Sequence, residues 1–140
     1  MNSPVQKSSA RVVLDVPPLP QHVSAAGAAL SRILSENGAT PDAAGLAELS
    51  AVELLSNIVR HGGPPTAIRV YVWRQQRAVS IAIADDGPPY DMSARPIALP
   101  ADPLSESGRG LWIVKHAADR FRYRSCGGRN FHILSFFLGA

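Results

Sequence analysis

Glu53 and Asn57 stand four residues apart in the run AVELLSNIVRHGG. On a helix that spacing puts both side chains on one face. A neutral Asn oxygen suits Mg2+ beside phosphate oxygens and waters, and a carboxylate one turn away can accept a hydroxyl proton. The plainer alternative is a Glu at the rim and an Asn bonded to its own backbone. Leu46 and Leu49 fall on the same face, which is expected to turn it toward the core. A second stretch, Asp85-Asp86-Gly87, closes an apolar run. An ionised Asp only accepts hydrogen bonds, which fits a purine exocyclic amine, and Gly87 lets backbone approach a ring. An acidic residue before Gly is also an ordinary turn. The third stretch is Gly108-Arg109-Gly110-Leu111, just before apolar Trp112-Ile113-Val114. Glycines there are either a hinge or a phosphate-approach loop at a positive helix end. Arg109 adds charge to that end or is simply solvated. Together the three stretches can equip an ATP site. No Walker lysine motif, G-x-S-x-G or paired metal-ligand His occurs, so a P-loop is excluded.

These residues need elements to position them. Arg11–Val16 reads as a strand stopped by Pro17-Pro18. From Leu19 to Glu36 apolar residues recur at helical spacing, and Asn37-Gly38 ends the helix. Thr40 can cap a second helix with Pro41 at its first position, running to His61-Gly62-Gly63. Ile68–Trp73 and Val79–Ala84 alternate as strands about a Gln75-Gln76 turn. Asp85–Ser107 is a long Pro-rich segment with little periodicity, the kind of loop that is functional or mobile. Gly110–Asp119 reads as a helix, and Phe121–Ser125 and Phe131–Leu138 as strands about a Gly-rich turn. The order β-α-α-β-β-loop-α-β-β implies an α+β two-layer sandwich: a mixed, mainly antiparallel sheet with helices on one face.

The bulk properties narrow the class. The chain has 140 residues, 46% hydrophobic and 18% charged, which suits a single domain with a real core. Residues 1–10 read as a flexible tail and 11–140 as the domain. No apolar run approaches the roughly 18 residues of a membrane span, and no signal-peptide core opens the chain. Membrane attachment is therefore not expected, and a cytoplasmic location is. One cysteine, Cys126, excludes an internal disulfide framework. The net charge of +3 is spread, apart from Arg120, Arg122 and Arg124, so direct nucleic-acid binding is not expected. Trp73 and Trp112 read as packing or rim aromatics, and Cys126 as exposed in its turn.

The joint pattern resembles the ATPase domain shared by gyrase, Hsp90, histidine kinases and MutL. It is most similar to bacterial anti-sigma-factor serine/threonine kinases of the RsbW type. Glu53-x-x-x-Asn57 matches the N-box, Asp85-Asp86-Gly87 the first glycine box, and Gly108-Arg109-Gly110-Leu111 the second. Gly127-Gly128-Arg129-Asn130 before the last strand fits the same branch. The resemblance spans about Arg11 to Leu138 and implies a Bergerat-type sandwich. It implies ATP and Mg2+ as cofactors, with Asn57 as the metal ligand and Glu53 as catalytic base on a partner serine or threonine. Asp85 would take the adenine amine and Gly87 the approach, while Gly108, Arg109, Gly110 and Leu111 would form the phosphate-side loop. Pro88–Ser107 would be an ATP lid, stiffened at its start by Pro88-Pro89. The implied partners are an anti-anti-sigma factor as phosphorylation substrate, a sigma factor, and a second copy in a homodimer. A non-catalytic ATP-binding switch protein that sequesters its partner is the alternative. With no phosphoacceptor helix pair in 140 residues, a complete histidine kinase is not expected.

Overall fold

Pro17, Pro18 and Pro20 interrupt regular hydrogen bonding early in the chain, and the first helix starts only beyond them. The computed structural model describes residues 12–61, 67–94 and 109–138. Its elements are β1 (Val12–Val16), α1 (Val23–Glu36), α2 (Pro41–His61), β2 (Ile68–Gln75), β3 (Ala78–Asp85), α3 (Arg109–Ala117), β4 (Arg120–Cys126) and β5 (Arg129–Phe137). The helix expected from Leu19 begins as a short 3-10 turn, Pro20–His22, before α1 proper. Asn37 closes α1: its Nδ2 donates to the Ile33 carbonyl at 2.8 Å. Gly38 follows with φ of 98°, a value that favours glycine. Thr40 caps α2 as expected, its Oγ1 accepting from the Ala43 amide at 3.1 Å.

The sheet order is β1-β2-β3-β5-β4 and every pairing is antiparallel. This corrects the expectation of a mixed sheet. α1 and α2 form a helical hairpin that returns the chain to the end it left, so β2 runs back along β1. β3 and β4 do run parallel, but β5 lies between them and no parallel pair forms. Inward residues of the strands (Val16, Ile68, Val70, Val72, Ile81, Ile83, Leu134, Phe136) pack with Leu30, Leu34, Leu54, Leu55 and Val114 of the helices. Strand alternation puts a second, smaller cluster on the opposite face: Trp73, Ala82, Ala84, Phe131 and Ile133. Buried Ser80 and Ser135 bridge β3 and β5 there at 2.9 Å. Trp73 is thus a packing residue. Cys126 is half-buried against this second cluster rather than exposed.

The α1–α2 contact is close. A Cβ on Gly27 would come within 2.6 Å of Val52 Cγ2. On α2 the buried stripe is Ala44, Ala47, Ala51, Leu54, Leu55 and Ile58. Leu46 and Leu49 are 40% and 53% exposed, so the expectation that they face the core is wrong. Small alanines seat the helix close to its neighbours, and the larger leucines sit one position round, on the outer ridge.

Candidate functional site

The two ends of the sheet are distinguishable by register. Ile68 at the start of β2 and Asn130 near the start of β5 both pair with Asp85, the last residue of β3. Residues 62–67 alone join α2 to β2, so the last turns of α2, carrying Glu53 and Asn57, lie toward that same end. α3 is tied at the other end. The Asp119 amide donates to the Ser135 carbonyl at 3.0 Å, and Asp119 Oδ2 accepts from the Phe137 amide at 2.6 Å. Nine residues of α3 span about 13 Å. Packed along α2 and β4, the helix carries its N-terminus, opened by Arg109, Gly110 and Leu111, back toward Asp85. Gly108 lies outside the described residues. Four residues of the first two sequence stretches, Glu53, Asn57, Asp85 and Gly87, thus lie toward one end of the sandwich, with the start of α3 directed there.

Asn57 is 8% exposed, and its Nδ2 donates to the Glu53 carbonyl at 2.8 Å. The backbone-bonding reading is therefore real, and it has a chemical consequence. The amide is locked with its nitrogen turned to the helix, and among the described residues no donor reaches Oδ1. That oxygen fits one ligand position on a cation held mainly by phosphates and waters. No group of three His, Cys, Asp or Glu side chains that could hold a metal ion occurs among the described residues. The Glu53 side chain is half-buried at the edge of the exposed ridge that carries Leu46 and Leu49.

Asp85 is 3% exposed and held by its neighbours. Oδ1 accepts from the Gly87 amide at 2.9 Å and from Asn130 Nδ2 at 3.1 Å. Oδ2 faces His132 Nε2 at 3.6 Å, beyond a hydrogen bond. Burial alone would raise the Asp85 pKa. The nearby His132 imidazole, with the hydrogen bonds from Asn130 and the Gly87 amide, outweighs burial and holds it below the ordinary carboxylate value. An ionised acceptor with one oxygen that no donor reaches among the described residues suits a purine amine.

Asn130 and His132 are the residues that sequence reasoning missed as site components. Asn130 Nδ2 also reaches the carbonyls of Gly87 at 3.1 Å and Pro88 at 3.0 Å, while its Oδ1 accepts from the Tyr123 hydroxyl. One amide therefore holds the carboxylate and the turn that follows it. The GGRN run hinted at Asn130. His132 carried no local signal, because its importance comes from the register that sets it between Asp85 and Tyr123. The imidazole is 1% exposed, and among the described residues its Nδ1 has no hydrogen-bond partner. An unmet buried polar atom costs about 1–3 kcal/mol.

The segment after Gly87 is anchored before it leaves the described residues. Asp91 Oδ1 accepts from the Ser93 amide at 2.9 Å, Tyr90 packs on the core, and Met92 is wholly buried. The first part of the expected Pro88–Ser107 lid is thus pinned to the body of the protein, and residues 95–107 lie outside the described residues.

Against known proteins, residues 16–135 match the family described as the histidine kinase-like ATPase domain. Over 88 residues the chain is 35% identical to the serine/threonine-protein kinase BtrW of Bordetella bronchiseptica, covering 59% of this chain and 62% of that one. The alignment thus spans about three-fifths of that relative. Among solved structures, the RsbU and RsbW domains of Rv1364c from Mycobacterium tuberculosis superpose with a TM-score of 0.62 at 16% identity, over 90% of this chain and 32% of that one. The SiaB-SiaC complex from Pseudomonas aeruginosa gives 0.57 at 16% identity, over 94% of this chain and 92% of that one. At such identities the structural matches speak for the fold, the two-layer sandwich described above. With the family match over most of its length, the chain belongs to the histidine kinase-like ATPase domain family.

Proposed function

We propose that this chain is a Mg-ATP-dependent serine/threonine protein kinase and anti-sigma factor, acting on an anti-anti-sigma partner in a partner-switching pathway. One observation carries the reading. A buried, ionised Asp85, whose Oδ2 has no hydrogen-bond partner among the described residues, lies toward the end of the sandwich at which α2, with Asn57 and Glu53, leads into β2. In this reading Asp85 takes the adenine amine, and the first amides of α3 face the phosphates. Asn57 Oδ1 supplies the chain's ligand to Mg2+. When bound, the metal neutralises phosphate charge. Glu53 accepts the proton of a partner serine or threonine hydroxyl as its oxygen bonds the γ-phosphorus and ADP departs. The name of the Bordetella relative, a serine/threonine-protein kinase, supports the chemistry. The solved SiaB-SiaC complex and RsbW domain support a protein partner. A sigma factor as second ligand and a homodimer belong to the same proposal. Among the described residues no helix is long and apolar enough to cross a membrane, and a cytoplasmic location completes the reading.

The test is phosphate transfer from labelled ATP to the protein captured by this chain from its native cell, with mapping of the modified residue. Phosphoserine or phosphothreonine on the captured protein is expected. A second reading, capture without turnover, is favoured by exposed Leu46 and Leu49 beside Glu53, an apolar surface for holding a partner. A stable complex that releases no ADP and carries no phosphate would decide for it.

A further inference from the structure

His132 is a costly residue where it stands. The ring is buried between β3 and β4, its Nδ1 lacks a partner among the described residues, and the inward residues that follow it on β5, Leu134 and Phe136, are apolar. An apolar side chain would pack there without loss of a hydrogen bond. What the imidazole adds is a polar edge toward one atom: Nε2 stands 3.6 Å from Asp85 Oδ2. Gly87 and Asn130 hold Oδ1 from the other side. The Tyr123 ring lies tilted against the imidazole, 5.3 Å away between centroids, and Tyr123 also donates to Asn130. The carboxylate is therefore gripped at Oδ1 and flanked at Oδ2 by a polar group just too far to saturate it.

We propose that His132 is a positioning residue that aims Asp85 Oδ2 at the exocyclic amine of the bound purine. This rests on the reading that Asp85 recognises adenine, and it adds that recognition depends on β5 as well as on β3. Without the imidazole, the carboxylate keeps its two Oδ1 bonds but loses the polar group that sets Oδ2. Contact with the amine weakens, while contacts with ribose and phosphates remain.

The experiment compares ATP with purine riboside triphosphate, which lacks the exocyclic amine, by calorimetry on wild type, His132→Phe and His132→Gln. Wild type is expected to prefer ATP by about tenfold, the worth of one hydrogen bond to a charged group. His132→Phe fills the volume beside Tyr123 without a polar edge. It should lower ATP affinity by most of that factor and leave the analogue nearly unchanged, erasing the preference. His132→Gln, with an amide that can face Oδ2, should restore it. A purely structural role would weaken both nucleotides alike, and that result overturns the proposal. So does a folded His132→Gln variant that loses the preference, which keeps the test decisive if His132→Phe does not fold. Full selectivity in His132→Phe overturns the role of His132 and leaves Asp85 standing. A wild type indifferent to the amine overturns both.

Discussion

At the scale of residues, the site separates into groups prepared for a ligand and groups that prepare them. Asp85 belongs to the first kind, and its acidity gives a signed expectation. Its folded pKa lies below the ordinary value. A carboxylate of that kind contributes stability above its unfolded pKa, about 3.9. The contribution is lost as pH falls through the lower folded value. Denaturation midpoints of the wild type should therefore fall through that acidic window, and Asp85→Asn should lack this component. The same substitution places a donor amide where an acceptor is needed, so ATP affinity should fall by about tenfold or more. An unchanged dissociation constant by calorimetry would remove Asp85 from the site. Asn57 gives a different signature. Asn57→Ala should weaken ATP binding in Mg2+ and leave binding in EDTA little changed. Equal loss under both conditions would mean that Asn57 only ties down its helix.

At the scale of elements, the sequence was legible where chain-local rules apply. Thr40-Pro41 starts α2, Asn37-Gly38 stops α1, and alternation marks β2 and β3. It misled where packing distance decides. Leu46 and Leu49 satisfy the helical period for a core face, yet the close approach of α1 and α2 at Gly27 puts alanines on the buried stripe and leucines outside. That approach is testable. Val52 is β-branched and stiff at χ1, so it cannot swing aside for a new side chain. Gly27→Val is expected to destabilise the protein by about 1–3 kcal/mol in urea titrations. Because α2 carries Glu53 and Asn57, the variant should also lose ATP affinity. A variant as stable as wild type would mean that the helices separate without cost. The loop after Gly87 is the other lesson. Its Pro-rich composition reads as a functional or mobile loop, and Met92 pins its start through a burial that no local pattern announces.

At the scale of the whole molecule, one sheet register brings the parts together. Pairing Asp85 with both Ile68 and Asn130 puts the carboxylate, the exit of α2 and the amide clamp at one end. The two-layer α+β architecture was legible because the order of elements permits few alternatives. The all-antiparallel sheet was not, since it depends on β5 inserting between β3 and β4. His132 was invisible for the same reason: only the register sets it against Asp85. In the proposed function, binding and catalysis divide across this architecture. Asp85 and the start of α3 argue for nucleotide binding, and Glu53 alone argues for transfer. The most direct test is therefore a paired measurement on Glu53→Gln, which keeps the shape of the side chain and removes the base. ATP affinity should stay within about twofold of wild type, while phosphate transfer to the captured partner falls by about 10²–10⁴. Wild-type transfer rates from Glu53→Gln would contradict the account.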